Sequence, residues 1–135
     1  MSEKLCALRK IGGGTELKET VLWTNPNPSS SMNDTALTLS QSMDNFDYLQ
    51  FDYRITTGDP NPMSIMISVE DFKLCKYAYK NNFLGFAAYS EQGKAFCRPI
   101  EYQSLTSVYV RAAKLLSSPE SNGSMCVPTQ IIGLK

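Results

Sequence analysis

Carboxylates are the side chains in this sequence best suited to chemistry, because it contains no histidine. Without imidazole there is no Ser-His-Asp or Cys-His relay, and the commonest transition-metal ligand is missing. Asp44 and Asp47 flank Asn45-Phe46, and Glu70 adjoins Asp71. Paired acids of this kind suit general acid–base hydrolysis of glycosides. Neither spacing favours it: adjacent acids in a strand point to opposite faces, and Asp44-x-x-Asp47 falls where a turn is expected. Solvated or turn-forming acids are the simpler reading. Asp34, Asp44 and Asp47 offer oxygen ligands for calcium without a recognisable loop spacing. Gly12-Gly13-Gly14-Thr15 lacks the Gly-Lys-Ser/Thr of a phosphate-binding loop. Four cysteines, at 6, 75, 97 and 126, show no paired spacing. They are expected to be free thiols packed as small apolar residues, not a zinc site. No catalytic residue, metal or cofactor is expected.

Aromatic residues offer more than the acids. Tyr48, Tyr77, Tyr79, Tyr89, Tyr102 and Tyr109 accompany Asn81, Asn82 and Gln92. Tyrosine beside amides combines flat apolar area with directional hydrogen bonds, which suits sugar or protein surfaces. Tyr77, Tyr79, Asn81 and Asn82 form the candidate ligand-binding set. The competing reading is plain: tyrosines also cover half-buried sheets.

Charge excludes some partners. Acidic and basic residues balance at thirteen each in 135 residues, so no global field draws in nucleic acid or an anionic membrane. The distribution is uneven. Residues 21–71 hold seven acids against one base, Arg54, and residues 72–135 hold eight bases against three acids. Opposite-signed regions of neighbouring copies can meet, which predicts an oligomer, a homotrimer above all; the same regions can instead pair within one copy. The sequence from Met1 to Cys6 has no long apolar run, so no export signal is expected, and nothing approaches the ~20 apolar residues of a membrane span.

The elements that must position these residues read mostly as strands. Val21-Leu22-Trp23-Thr24 is an apolar run that stops at Asn25-Pro26-Asn27-Pro28, where neither proline can donate to a ladder. Trp23, with Pro26 and Pro28, is the expected structural anchor, its indole in the core. Leu37 and Leu39 share a face in the next segment. From Tyr48 to Ile55 a strict period of two sets Leu49, Phe51, Tyr53 and Ile55 against Tyr48, Gln50, Asp52 and Arg54, predicting a half-buried strand with one wet face. Gly58 to Pro62 is a turn, Met63 to Val69 alternates again, and Glu70 to Leu74 fits a short helical turn. Phe83 to Tyr89, Lys94 to Tyr102, Leu105 to Ala112 and Met125 to Leu134 follow as strands, with Pro128 marking an edge or a strand start. Residues 4–11 fit a short strand or a helical turn equally. Gly12-Gly13-Gly14 reads as a hinge or as a loop needing positive φ. The expected organisation is an N-terminal segment and glycine hinge, 1–14, before one domain, 15–135. That domain is an all-β, antiparallel, jelly-roll-like β-sandwich of about seven to nine short strands.

A resemblance adds to this. Leu22-Trp23-Thr24-Asn25-Pro26-Asn27-Pro28-Ser29, followed by Thr38-Leu39-Ser40 and Asp47-Tyr48-Leu49, resembles small proteins encoded in phage and prophage genomes of gut bacteria. Val69-Glu70-Asp71-Phe72-Lys73 and the ending Pro128-Thr129-Gln130-Ile131-Ile132-Gly133-Leu134-Lys135 complete the pattern, which runs from Gly12 over nearly the whole chain. Residues 41–46 and Tyr77 to Phe83 depart from it. The chain looks like the terminal β-module of tail-fibre or other virion-surface proteins. That likeness implies a non-enzymatic module of the virion, assembled in the host cytoplasm, trimeric, packed against other virion proteins and binding a host-surface glycan or protein. No binding residue carries over from the likeness. The contrasting expectations are a carboxylate-dependent glycan hydrolase and a small host-directed phage inhibitor.

Overall fold

The computed structural model describes residues 10–11, 15–58, 62–76, 84–89, 94–115 and 121–135, with the backbone alone at 10–11, 15–16 and 86–89. In chain order the strands are β1 (Lys10–Ile11), β2 (Thr15–Glu16), β3 (Glu19–Thr24), β4 (Thr35–Thr38), β5 (Tyr48–Thr56), β6 (Pro62–Ser68), β7 (Leu84–Tyr89), β8 (Ala95–Ser104), β9 (Ser107–Val110), β10 (Lys114–Leu115) and β11 (Met125–Leu134). A 3-10 turn spans Met43–Asn45 and one short helix, α1, spans Val69–Phe72. Ser42 and Ser68 start these two turns by accepting the N–H groups of Asp44 and Asp71 on their hydroxyls.

Two antiparallel sheets make a β-sandwich, as the alternation predicts. One runs β3-β11-β5-β6. In the other β8 is central: β7 lies along one side, β9 and β10 follow one another along the other, and β4 pairs outside β9. Leu37 and Leu39, the β5 residues Leu49, Phe51 and Tyr53, and Phe72, Phe96, Ile100, Val108, Val110 and Ile131 share one core between the sheets. β1 and β2 pair on either side of Gly12 to Gly14.

Three expectations need correction. β5 has no wet face in its centre, because Gln50 is 1% and Asp52 8% exposed. Gln50 donates to Asp52 at 2.8 Å and the Ser64 hydroxyl donates to the same carboxylate at 2.7 Å, so the buried carboxylate is paired, while Gln50 Oε1 is buried with no hydrogen-bond partner among the described residues. Pro128 is not a strand start, and the edge it marks is a local one in a strand that is central elsewhere. It lies within β11, opposite Tyr53 of β5 and just before a register shift, and beyond the end of β3, whose pairing with β11 begins at Gln130, so its missing N–H costs no ladder bond. Trp23 is half-buried against the core and not inside it; Leu22 is the fully buried residue of β3. A second register shift explains this, for Trp23 faces Ile131 and Val21 faces Ile132, leaving Leu22 as the extra residue of a bulge.

The end of β3 is held by an asparagine. Asn25 is buried, donates from Nδ2 to the Pro128 carbonyl at 2.8 Å and accepts the Asn27 N–H at 2.8 Å, while its own N–H meets the Thr129 carbonyl. Pro26 is exposed and Pro28 half-buried, so they stiffen the exit without anchoring it. The inner clasp is Arg98, in phase with core residues Phe96 and Ile100 on β8 and wholly buried. Its guanidinium donates to the carbonyls of Met32, Arg111, Gly123, Met125 and Cys126, tying three connections to the centre of a sheet. Burial pulls its pKa down to about 10, so it remains a cation at neutral pH.

Candidate functional site

The β8–β9 hairpin builds the site. Its register sets Glu101 opposite Tyr109 and Tyr102 opposite Val108, then slips by one residue before Ser104. β7 accompanies β8 only as far as Ile100. Beyond that point Cys75 takes the edge, its carbonyl accepting the Tyr102 N–H at 2.7 Å. An open groove of about 340 Å³ follows this change of neighbour, lined by Lys76, Glu101, Tyr102, Gln103, Tyr109 and Arg111.

The lining is a connected set. Arg111 is placed by its own N–H, which donates to the Pro99 carbonyl at 2.9 Å. Its Nε donates to Glu101 Oε1 at 2.8 Å, and its guanidinium carbon sits 4.5 Å from the Tyr109 ring centroid. Asp34 approaches from the other side, 3.8 Å from Nη1, while its second oxygen accepts the Ala112 N–H at 2.8 Å. The Glu101 side chain is 6% exposed, so this ion pair is shielded more than an ordinary surface pair. Lys76 stands 5.8 Å from the Tyr102 ring, which meets Phe72 edge-on at 6.3 Å. Tyr102 thus joins the groove to the core, and Tyr109 lines the groove from the adjacent strand, on the face it shares with Glu101.

The acids singled out by sequence lie elsewhere. Asp44 contacts Lys73 at 2.5 Å and Glu70 contacts the same ammonium at 3.2 Å. The Asp44 hydrogen bond first, and the Glu70 bond second, push the Lys73 pKa up. The acid partners are open to solvent, Asp44 at 47% and Glu70 at 84% exposure, and Asp47 is exposed too. Asp34, Asp44 and Asp47 do not converge; among the described residues no cluster of three or more histidines, cysteines or acids is placed to hold a metal. Cys75, Cys97 and Cys126 are free thiols. Burial pushes all three thiols up, Cys126 to about 12. Among the described residues no helix is long and apolar enough to cross a membrane.

Tyr77, Tyr79, Asn81 and Asn82 lie outside the described residues. Lys76, the residue before them, lines the groove. Of the tyrosines named from sequence, Tyr102 and Tyr109 are the two brought together here. Sequence reasoning missed Glu101 and Arg111, whose pairing depends on hairpin register and on the residue just past β9. No protein-family model and no curated protein sequence matches the chain.

Proposed function

We propose that this protein is a non-enzymatic recognition module of the virion-surface type, binding an acidic glycan of the host surface and acting in several copies. The observation that carries the reading is the groove of Tyr102, Tyr109, Arg111 and Lys76 at the open end of the β8–β9 hairpin. Tyr109 and Arg111 are stacked, and Arg111 is fixed by Glu101 and Asp34. Side chains already held in place lose little entropy on binding. The ring supplies apolar area for a sugar face, and its hydroxyl and the Gln103 amide supply hydrogen bonds. Arg111 is already matched by Glu101 and Asp34, so the cation of the lining that favours a ligand carrying negative charge is Lys76. A single groove of this size gives modest affinity, and several copies raise it without new contacts. That requirement, together with the resemblance of the Leu22-to-Ser29 opening to virion-surface modules, favours a place on a multivalent particle beside other virion proteins.

The test is binding to immobilised neutral and acidic polysaccharides purified from bacterial surfaces. The expected result is saturable binding to acidic members, weakened about tenfold or more by Tyr109→Ala, a loss of ~1.4 kcal/mol. Lys76→Ala should weaken acidic ligands selectively. Absence of polysaccharide binding, or unchanged binding by both variants, would overturn the proposal.

A further inference from the structure

β6 is the outermost strand of its sheet, and among the described residues it pairs with β5 alone. Its sequence, Pro-Met-Ser-Ile-Met-Ile-Ser, contains no charge. Exposed edges usually carry lysines, inward charges or bulges that block pairing with another chain. Here only Pro62, at the first position, does so.

The direction of the unused main-chain groups follows from one hydrogen bond. Val69 N–H donates to the Asp47 carbonyl at 2.9 Å, and these two residues continue the β5–β6 register by one step. They are therefore a hydrogen-bonded pair, and in an antiparallel ladder such pairs alternate. Leu49 with Ile67, and Phe51 with Ile65, are hydrogen-bonded pairs in turn; Gln50 with Met66 and Asp52 with Ser64 are not. The main-chain N–H and C=O groups of Ser64 and Met66 consequently point away from β5, out of the sheet.

Side chains at this edge are unfinished as well. Ile65 and Ile67 pack against the core but stay half-buried, and Met63 is 41% exposed. The residues from Ser64 to Ser68 read Ser-Ile-Met-Ile-Ser in either direction. A palindrome on an antiparallel edge complements itself.

We propose that β6 pairs with β6 of a second copy about a twofold axis through Met66. In that register Met66 meets Met66, each Ile65 meets Ile67 of the other copy on the core face, and each Ser64 meets Ser68 on the outer face. Met66 N–H and C=O exchange two hydrogen bonds across the axis, and Ser64 adds more on either side. The contact joins two four-stranded sheets into one of eight and covers the open flanks of Ile65 and Ile67. Self-complementarity selects a twofold pair in place of the threefold ring that charge asymmetry suggests, because an isologous contact closes after two copies. The inference deepens the multi-copy part of the proposed function and does not depend on what the groove binds.

The experiment combines solution mass with amide exchange on the full chain. Light scattering after size exclusion should give about 30 kDa, twice the 15.0 kDa chain, at tens of micromolar protein. The Ser64 and Met66 amides should exchange slowly, and faster on dilution. Met66→Pro keeps the β5–β6 ladder, since the N–H it removes faces outward, and should yield a folded monomer by circular dichroism. Should that variant not fold, a charge pair replaces it. Met66→Lys and Met66→Glu, each placing like charges together on the axis, should be monomers that reassociate when mixed. A 15 kDa wild type at hundreds of micromolar would overturn the edge pair. So would a threefold mass, an oligomer unchanged in Met66→Lys and Met66→Glu, or fast exchange at Met66 within an oligomer. The last three outcomes leave multivalent glycan binding standing, which separates the two proposals.

Discussion

Replacing Arg98 tests how the sandwich is held, and the expected cost can be worked from its contacts. Its three nitrogens make six contacts, of 2.7 to 3.2 Å, with five carbonyl oxygens on the stretches around Met32, Arg111 and Gly123 to Cys126. Arg98→Met keeps most of the volume and removes every donor. The Gly123 carbonyl still accepts the Met32 N–H at 2.9 Å, and each of the other four, if left buried without a partner, costs about 1–3 kcal/mol, a gross loss of ~4 kcal/mol or more. Against this stands the desolvation of a buried cation, several kcal/mol, which the methionine no longer incurs. The net is a destabilisation of about 3–5 kcal/mol, a large share of the ~5–15 kcal/mol that a small domain has. Arg98→Lys retains charge but offers three donors from one point, and about 2 kcal/mol should be lost. Urea unfolding followed by Trp23 fluorescence measures both, since Trp23 lies at the border of the core. Equal stability of Arg98→Met and wild type, within 1 kcal/mol, would refute the clasp argument and mean that the cage only offsets its own burial cost.

Three further outcomes follow from the same structure. Gly133→Ala places a Cβ 2.6 Å from the Phe46 ring, so β11 or the ring must shift, and thermal unfolding should show a loss of about 1–3 kcal/mol. The Cys126 thiol, raised from 9.0 to about 12 by burial, contributes stability that is complete below pH 9 and is lost as pH rises towards 12. Wild type should therefore decline relative to Cys126→Ala over that window, and parallel stability curves would count against a buried thiol. Arg111→Ala removes one partner of Glu101 and the support of Tyr109, and polysaccharide binding should fall at least as far as in Tyr109→Ala.

The outline of the sandwich was legible because alternation reports which residues share a face. Leu49, Phe51 and Tyr53 are core residues as their spacing predicts. Alternation does not say whether the polar face meets water, and Gln50 and Asp52 are buried against Ser64 in a pattern identical to that of a wet strand. Register shifts also escape a period of two. The bulge at Leu22 exchanges the burial expected of Trp23, and Pro128 sits in β11 because β3 ends before reaching it, a boundary that alternation does not show. Arg98 left a signal, since it stands in the inward phase between Phe96 and Ile100, where a cation must find partners or not fold. The groove left almost none. Tyr109 and Arg111 are ordinary surface types until β8 and β9 pair and bring Glu101 beside them.

The central claim is that the Tyr109–Arg111 groove recognises an acidic glycan, and chemical-shift mapping on isotopically labelled protein tests it most directly. Oligosaccharides released from an acidic bacterial surface polysaccharide should shift the amides of residues 101–103, 109–111 and 76 in a saturable manner, leaving β3 and β11 unmoved. Shifts that concentrate away from the β8–β9 hairpin, or none at millimolar oligosaccharide, would contradict the account.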